Sequence, residues 1–150
     1  SAASDVYKRQ GMKILQFAFD SREESDYLPH NYTHNCVVYT GTHDNDTVMG
    51  WYDTLKGADK KLCDDYLRLK NADGEPIPRE QLPWEFVRAA MSSVADLAII
   101  PMQDYLGLGS EARINIPSTL GTNWMWRMGN GDFTKELAGR IRSMTKLYGR

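Results

Sequence analysis

Three short apolar runs, Met12 to Phe19, Cys36 to Thr40 and Leu97 to Pro101, constrain the fold more than any other feature of this sequence. Each is apolar nearly throughout rather than alternating, the pattern of strands covered on both faces in a parallel sheet. Each is followed by a polar segment: "DSREESDYLPHNYTHN", "GTHDND" and "QDYLGLGSEARINIPSTLGTNW". Between and after the runs the period becomes helical. Helices are expected over 47–54 and 60–69, with "NADGEPIP" as a surface turn. A third begins at Pro83, whose missing N–H suits a first turn, and carries Phe86, Val87, Ala90, Met91 and Val94 on its apolar face. A last helix, 134–148, aligns Leu137, Ile141, Met144 and Leu147. Strands alternating with helices imply right-handed βα crossovers and an α/β fold in which functional residues gather at the strand ends.

The first residues, "SAASDVYKRQ", show no sustained period and are read as a leader or assembly scar over 1–11, leaving 12–150 as the folded part. A 150-residue chain with 41% apolar and 25% charged residues is ordinary globular usage, which sets aside disordered and collagen-like classes. Eighteen basic against twenty acidic residues, a net charge of -2 and no basic block argue against nucleic acid or an anionic membrane as partner. No apolar run approaches the ~20 residues of a membrane span. Cys36 and Cys63 form no metal-binding spacing and read as reduced thiols, in keeping with a soluble, cytoplasmic chain.

The second polar segment concentrates chemistry. In "YTGTHDNDTVMGW" the residues His43, Asp44, Asn45 and Asp46 follow directly on an apolar run. Three explanations are open. Asp44 or Asp46 can cap the next helix, with Asp46 the better placed, a contribution of about 1 kcal/mol. A metal reading needs ligands that four consecutive residues cannot all aim at one ion, and no remote Cys/His set completes a shell. The third is a carboxylate beside an imidazole at a strand end, which suits two adjacent sugar hydroxyls and places a fixed anion near developing oxocarbenium charge.

Tyr27, Tyr32, Trp51, Tyr52, Tyr105, Trp124 and Trp126 can stack on pyranose rings or pack in the core, core being the default for each. At most one of Trp124 and Trp126 faces a site if the chain is extended there. Arg113 either holds a carboxylate in a bidentate pair or is a surface charge. Gly107 and Gly109 in "GLGS" lack the remaining spacing of a phosphate loop, and turn geometry accounts for them.

The ordered stretches "MKILQFAFD", "YLPHNY", "VVYTGTHDNDTVMGWY", "PMQDYLGLGSEARINIP", "GTNWMWR" and "LYGR" resemble the C-terminal part of the amylomaltase family, the 4-α-glucanotransferases related to α-amylases. The resemblance implies a TIM (β/α)8 barrel, of which this chain supplies about three βα units, strands six to eight. It implies retaining transfer of α-1,4-glucan segments to another glucan or glucose, with no cofactor and no metal. The nucleophile and the acid/base of the family belong to strands four and five, upstream of Met12. The strand-seven motif falls on "THDND", so Asp44 is expected to stabilise the transition state with His43 as its partner on the sugar. Asn45, Asn123, Trp124, Asp20 and Gln103 are expected to line the substrate cleft. Partners are α-1,4-glucans and the remainder of the same barrel. The alternative is a non-catalytic carbohydrate-binding or interaction module derived from that barrel.

Overall fold

The computed structural model describes residues 11–150. Three parallel strands, β1 (Gly11–Ile14), β2 (Cys36–Tyr39) and β3 (Leu97–Ile99), form one sheet in the order β1-β2-β3. Met12 pairs with Val37 and Val37 with Leu97, so side chains in these rows share a face of the sheet. The described residues also form five α-helices: α1 (Val48–Tyr52), α2 (Gly57–Tyr66), α3 (Leu82–Met91), α4 (Met102–Tyr105) and α5 (Lys135–Leu147). The expected α/β character with parallel strands is present. The reading of 1–11 as a leader lies outside the described residues except at Gly11, which opens β1.

All three strands are shorter than their apolar runs. After Ile14 the chain enters a 3-10 turn, Leu15–Ala18, whose Leu15 and Ala18 are fully buried beneath the helices. An apolar run reports burial without distinguishing strand from turn, which is why Met12 to Phe19 reads as one element. β2 stops at Tyr39, before Thr40. β3 stops at Ile99, and Pro101, which has no N–H to extend a ladder, precedes α4 instead. The helices expected over 47–54 and 60–69 occupy 48–52 and 57–66.

The helices cover one face of the sheet. Cys36 and Val38 pack with Ala90, Ala95 and Ala98. Trp84, Val87 and Met91 of α3 meet Met144, Leu137 and Ile141 of α5. Phe86 is fully buried, with the rings of Phe19, Trp51 and Tyr52 at 5.9 to 6.4 Å in edge-on or strongly inclined geometry. Pro83 sits in the first turn of α3 as its sequence position predicts. The other end of α3 is closed by Arg150, whose guanidinium donates to the carbonyls of Met91, Ser93 and Ala95 at 2.7 to 2.8 Å. Val94 and Leu147, expected on apolar faces, are exposed: Val94 lies beyond the last turn of α3, and Leu147 ends α5 past the packed stretch.

Among the described residues the opposite face of the sheet is left largely uncovered. Met12, Leu97 and Ile99 are each about half exposed, and Val37 and Tyr39 beside them are only partly buried. A parallel sheet with one apolar face uncovered departs from the two-sided burial that its strands predict.

Candidate functional site

The carboxyl ends of the three strands open into a cleft of about 390 Å³, continuous with the bare face through Met12, Tyr39 and Ile99. Its polar wall is the loop between β2 and α1, residues 41–47, together with Arg113. Gly41 begins this loop where a Cβ would collide with the Gln16 amide, so the backbone runs close against β1's following turn.

Every part of the loop is pinned by a polar group. Asn45 Oδ1 accepts from the Thr42 N–H at 2.9 Å and from its hydroxyl at 2.8 Å, closing a tight local turn. Gln16 Nε2 donates to the Asp46 carbonyl at 2.8 Å. Arg113 donates to the Asp44 carbonyl at 2.7 Å and to the Asn115 carbonyl at 2.9 Å. Arg113 therefore fastens backbone to backbone rather than clasping a carboxylate. Asn115 completes the bracket: its N–H donates to the His43 carbonyl at 3.1 Å and its side-chain amide to Asp44 Oδ1 at 2.8 Å.

Asp44 and His43 thus point out together, both about half exposed, with His43 Nε2 at 3.4 Å from Asp44 Oδ1. Trp124 lies beyond them, its ring centroid 5.0 Å from that of His43. Trp124 is held at φ +64°, a left-handed conformation that a bulky side chain rarely adopts, by an N–H bond to the Ile114 carbonyl at 2.7 Å. An oriented carboxylate with one oxygen engaged, an adjacent imidazole and an exposed indole can together receive a diol on a ring: hydroxyls donate to the carboxylate, the imidazole donates or accepts, and the indole packs against the ring face.

Asp46 does not cap α1. The N-cap is Thr47, whose hydroxyl accepts from the Gly50 N–H at 3.1 Å. Asp46 stands one residue earlier, accepting from the Thr47 N–H at 2.7 Å and from the Ser110 hydroxyl at 2.6 Å. Another free donor of the first turn, the Val48 N–H, goes to Asp104 Oδ1 at 2.9 Å, while Thr40 Oγ1 donates to Asp104 Oδ2 at 2.5 Å. Asp104 is 2% exposed, and burial, with Asp46 nearby, pushes its carboxyl up to about 6 against the two hydrogen bonds that favour the anion.

The other expected cleft residues divide. Asn45 lines the cleft. Gln103 also lines it, but is buried and donates to the Ala112 carbonyl at 3.2 Å. Asn123 spends its amide within its own loop, accepting from the Ile116 N–H and donating to Thr119. Asp20 is paired with Arg22 at 2.6 and 2.8 Å, which holds its carboxyl down to about 2, and it does not line this cleft. The aromatic residues mostly take the core option. Tyr32 and Tyr52 are buried, Tyr27 and Trp51 pack on the core around Phe86, and Tyr105 packs on Trp84. Gly107 has φ +66°, the turn geometry expected of it. Cys36 and Cys63 are buried free thiols, both pushed up by burial. Among the described residues no group of three His, Cys, Asp or Glu side chains is placed to hold a metal ion. Asn115 and Asp104 both lie in "PMQDYLGLGSEARINIP", a stretch that carries the family resemblance, but no spacing or pattern singles either of them out.

The sequence matches the model of the family described as 4-alpha-glucanotransferase over residues 2–132. It is 50% identical over 141 residues to a 4-alpha-glucanotransferase of Clostridium butyricum, which covers 93% of this chain and 28% of that protein. A 4-alpha-glucanotransferase of Solanum tuberosum, described as chloroplastic/amyloplastic, is 48% identical over 143 residues, covering 93% and 24%. The structure aligns with that of the amylomaltase from Streptococcus agalactiae in complex with acarbose at a TM-score of 0.89 and 33% identity, covering 99% of this chain and 29% of that one. The chain thus spans 24% to 29% of the length of these relatives. No helix among the described residues is long and apolar enough to cross a membrane. With the family match running over most of its length, and with sequence and fold agreeing, this chain belongs to the 4-alpha-glucanotransferase family.

Proposed function

We propose that this chain forms the C-terminal part of a retaining 4-α-glucanotransferase, with β1, β2 and β3 as strands six, seven and eight of a (β/α)8 barrel and 12–150 as catalytic-barrel sequence. The bare face of the sheet is then the wall of the barrel interior, covered by the other strands. The nucleophile and the acid/base are contributed by residues outside this chain. The acid protonates the leaving glycosidic oxygen, the nucleophile forms a glycosyl-enzyme, and a glucan 4-hydroxyl, deprotonated by the same acid/base, releases it. One glycosidic bond replaces another, so no cofactor is required.

The observation that carries this reading is the Asp44 carboxylate, oriented at one oxygen by Asn115, beside His43 at the carboxyl end of β2. In this role Asp44 accepts from adjacent hydroxyls of the ring whose bond is cut, and its charge favours the oxocarbenium-like transition state over the ground state. His43 shares those hydroxyls, Trp124 offers a stacking face, and Asn45, its oxygen held by Thr42, lines the cleft. The substrates are α-1,4-glucans, consistent with the acarbose complex of the S. agalactiae amylomaltase.

The test is disproportionation of maltotriose by the full-length enzyme and its Asp44→Asn variant. Severe loss of turnover with folding intact is expected. A variant that transfers at the parental rate would remove Asp44 from the reaction.

A further inference from the structure

We propose that Asp104 is a positioning residue for the Asp44 loop, a single buried carboxylate that fastens both ends of the segment from which Asp44 and His43 project. This inference rests on the role given to Asp44 above. The loop leaves β2 at Thr40 and enters α1 at Val48. Asp104 Oδ2 receives the Thr40 hydroxyl and Oδ1 receives the Val48 N–H, at 2.5 and 2.9 Å, from a position on α4 beyond the next strand. One rigid group therefore sets the span between entry and exit. Inside that span the Asp46 carbonyl, the Asp44 carbonyl and the Asp44 side chain are each tied elsewhere, to Gln16, Arg113 and Asn115. These ties, with the Ser110 hydroxyl on Asp46 Oδ2 and the Asn115 N–H on the His43 carbonyl, hold the middle of the loop, and Asp104 is the group that bonds both of its ends.

Asp104 borders the cleft without presenting a free oxygen to a ligand. It is 2% exposed, and both oxygens are occupied by protein donors. Its ability to accept twice is what the site uses. An Asn can keep both partners, accepting from Val48 through its oxygen and donating to the Thr40 hydroxyl, whereas Ala keeps neither. A displacement of about 1 Å at a catalytic group costs on the order of 100-fold in rate.

The experiment uses the full-length enzyme and places Asp104→Ala and Asp104→Asn in the parent and in the Asp44→Asn background. In the parent, Asp104→Ala is expected to lower kcat by about 10- to 100-fold with KM little changed, and Asp104→Asn to restore most of it. In the Asp44→Asn background, where there is no carboxylate left to position, Asp104→Ala should cost only about twofold. Hydrogen exchange of amides 41–48 should quicken in Asp104→Ala and not in Asp104→Asn. Equal losses in the two backgrounds would show a structural role only and overturn the proposal, as would an unchanged kcat. Should Asp104→Ala fail to fold, Thr40→Val removes one of the two ties at nearly constant volume and carries the same comparison. If Asp44→Asn alone leaves turnover at the parental level, the reading of Asp44 has failed, and the positioning role falls with it.

Discussion

The core around Phe86 and the loop around Asp44 share the short helix α1, yet they are held by opposite means. At the C-terminal end of α1, Tyr52 joins a cluster in which Phe86 is fully buried and held by apolar contact. At the N-terminal end Val48 still buries its side chain in that core, but its N–H is held by Asp104 and the loop before it by hydrogen bonds from Gln16, Arg113 and Asn115, while Asp44 and His43 remain about half exposed. Apolar burial stabilises but closes off every side chain it uses. Polar pins on the backbone fix a loop while leaving its side chains free for a ligand, which is how a site can be rigid and open together.

If the two regions are separate in this sense, Phe86→Ala should destabilise the full-length enzyme by about 3–5 kcal/mol and leave turnover per folded molecule unchanged. Denaturant unfolding beside active-site-normalised rates measures both quantities, and a matching fall in specific turnover would break the separation. Asp44→Asn is the mirror experiment. Turnover should drop on the order of 10²–10³, about 3–4 kcal/mol of transition-state stabilisation, with the melting temperature nearly that of the parent, because the amide is almost isosteric and its site is wet.

Asp104 lies where the regions meet, and its effect depends on pH. Its carboxyl is raised from 3.8 to about 6 in the folded protein, chiefly by burial, with Asp46 as the charged neighbour acting in the same direction. The folded state therefore binds this proton more tightly than the unfolded state. Its contribution to stability is greatest below about pH 4 and declines by about 3 kcal/mol as pH rises to about 6. Asp104→Asn lacks that decline, so unfolding free energies measured from pH 4 to pH 7 should show the variant gaining on the parent across the window. A constant offset between the two would contradict the assignment. The smallest effect belongs to Asp46→Asn: the new side chain can still accept from the Thr47 N–H and donate to the Ser110 hydroxyl, and stability should move by less than about 0.5 kcal/mol. Equal losses in Asp46→Asn and Asp44→Asn would mean that the loop responds to charge in general and not to one oriented carboxylate.

Much of this architecture is legible in local sequence. The order of strands and helices follows from apolar runs and periods, Pro83 marks the start of α3, and the buried face of α3 is the repeat of Phe86, Val87, Ala90 and Met91. The "HDND" cluster announces a strand-end site, and it is where the cleft forms. Other features are not local. Leu15–Ala18 has the composition of a strand and folds as a turn because the core beneath the helices takes Leu15 and Ala18. Asp46 has the look of a cap, but Thr47 takes the position once Ser110 engages Asp46.

What the sequence by itself determined is the set of elements and the presence of a carboxylate and an imidazole after β2, since periods, caps and turns depend on residues a few positions apart. Only the tertiary structure decided which residues hold that pair. Val48 meets Asp104 across 56 positions, Thr40 meets it across 64, and Asp44 meets Asn115 across 71. Hydrogen bonds over such separations exist only after parallel pairing has set β2 beside β3 and brought their following loops together, and nothing in the spacing of Asp104 or Asn115 along the chain encodes that register.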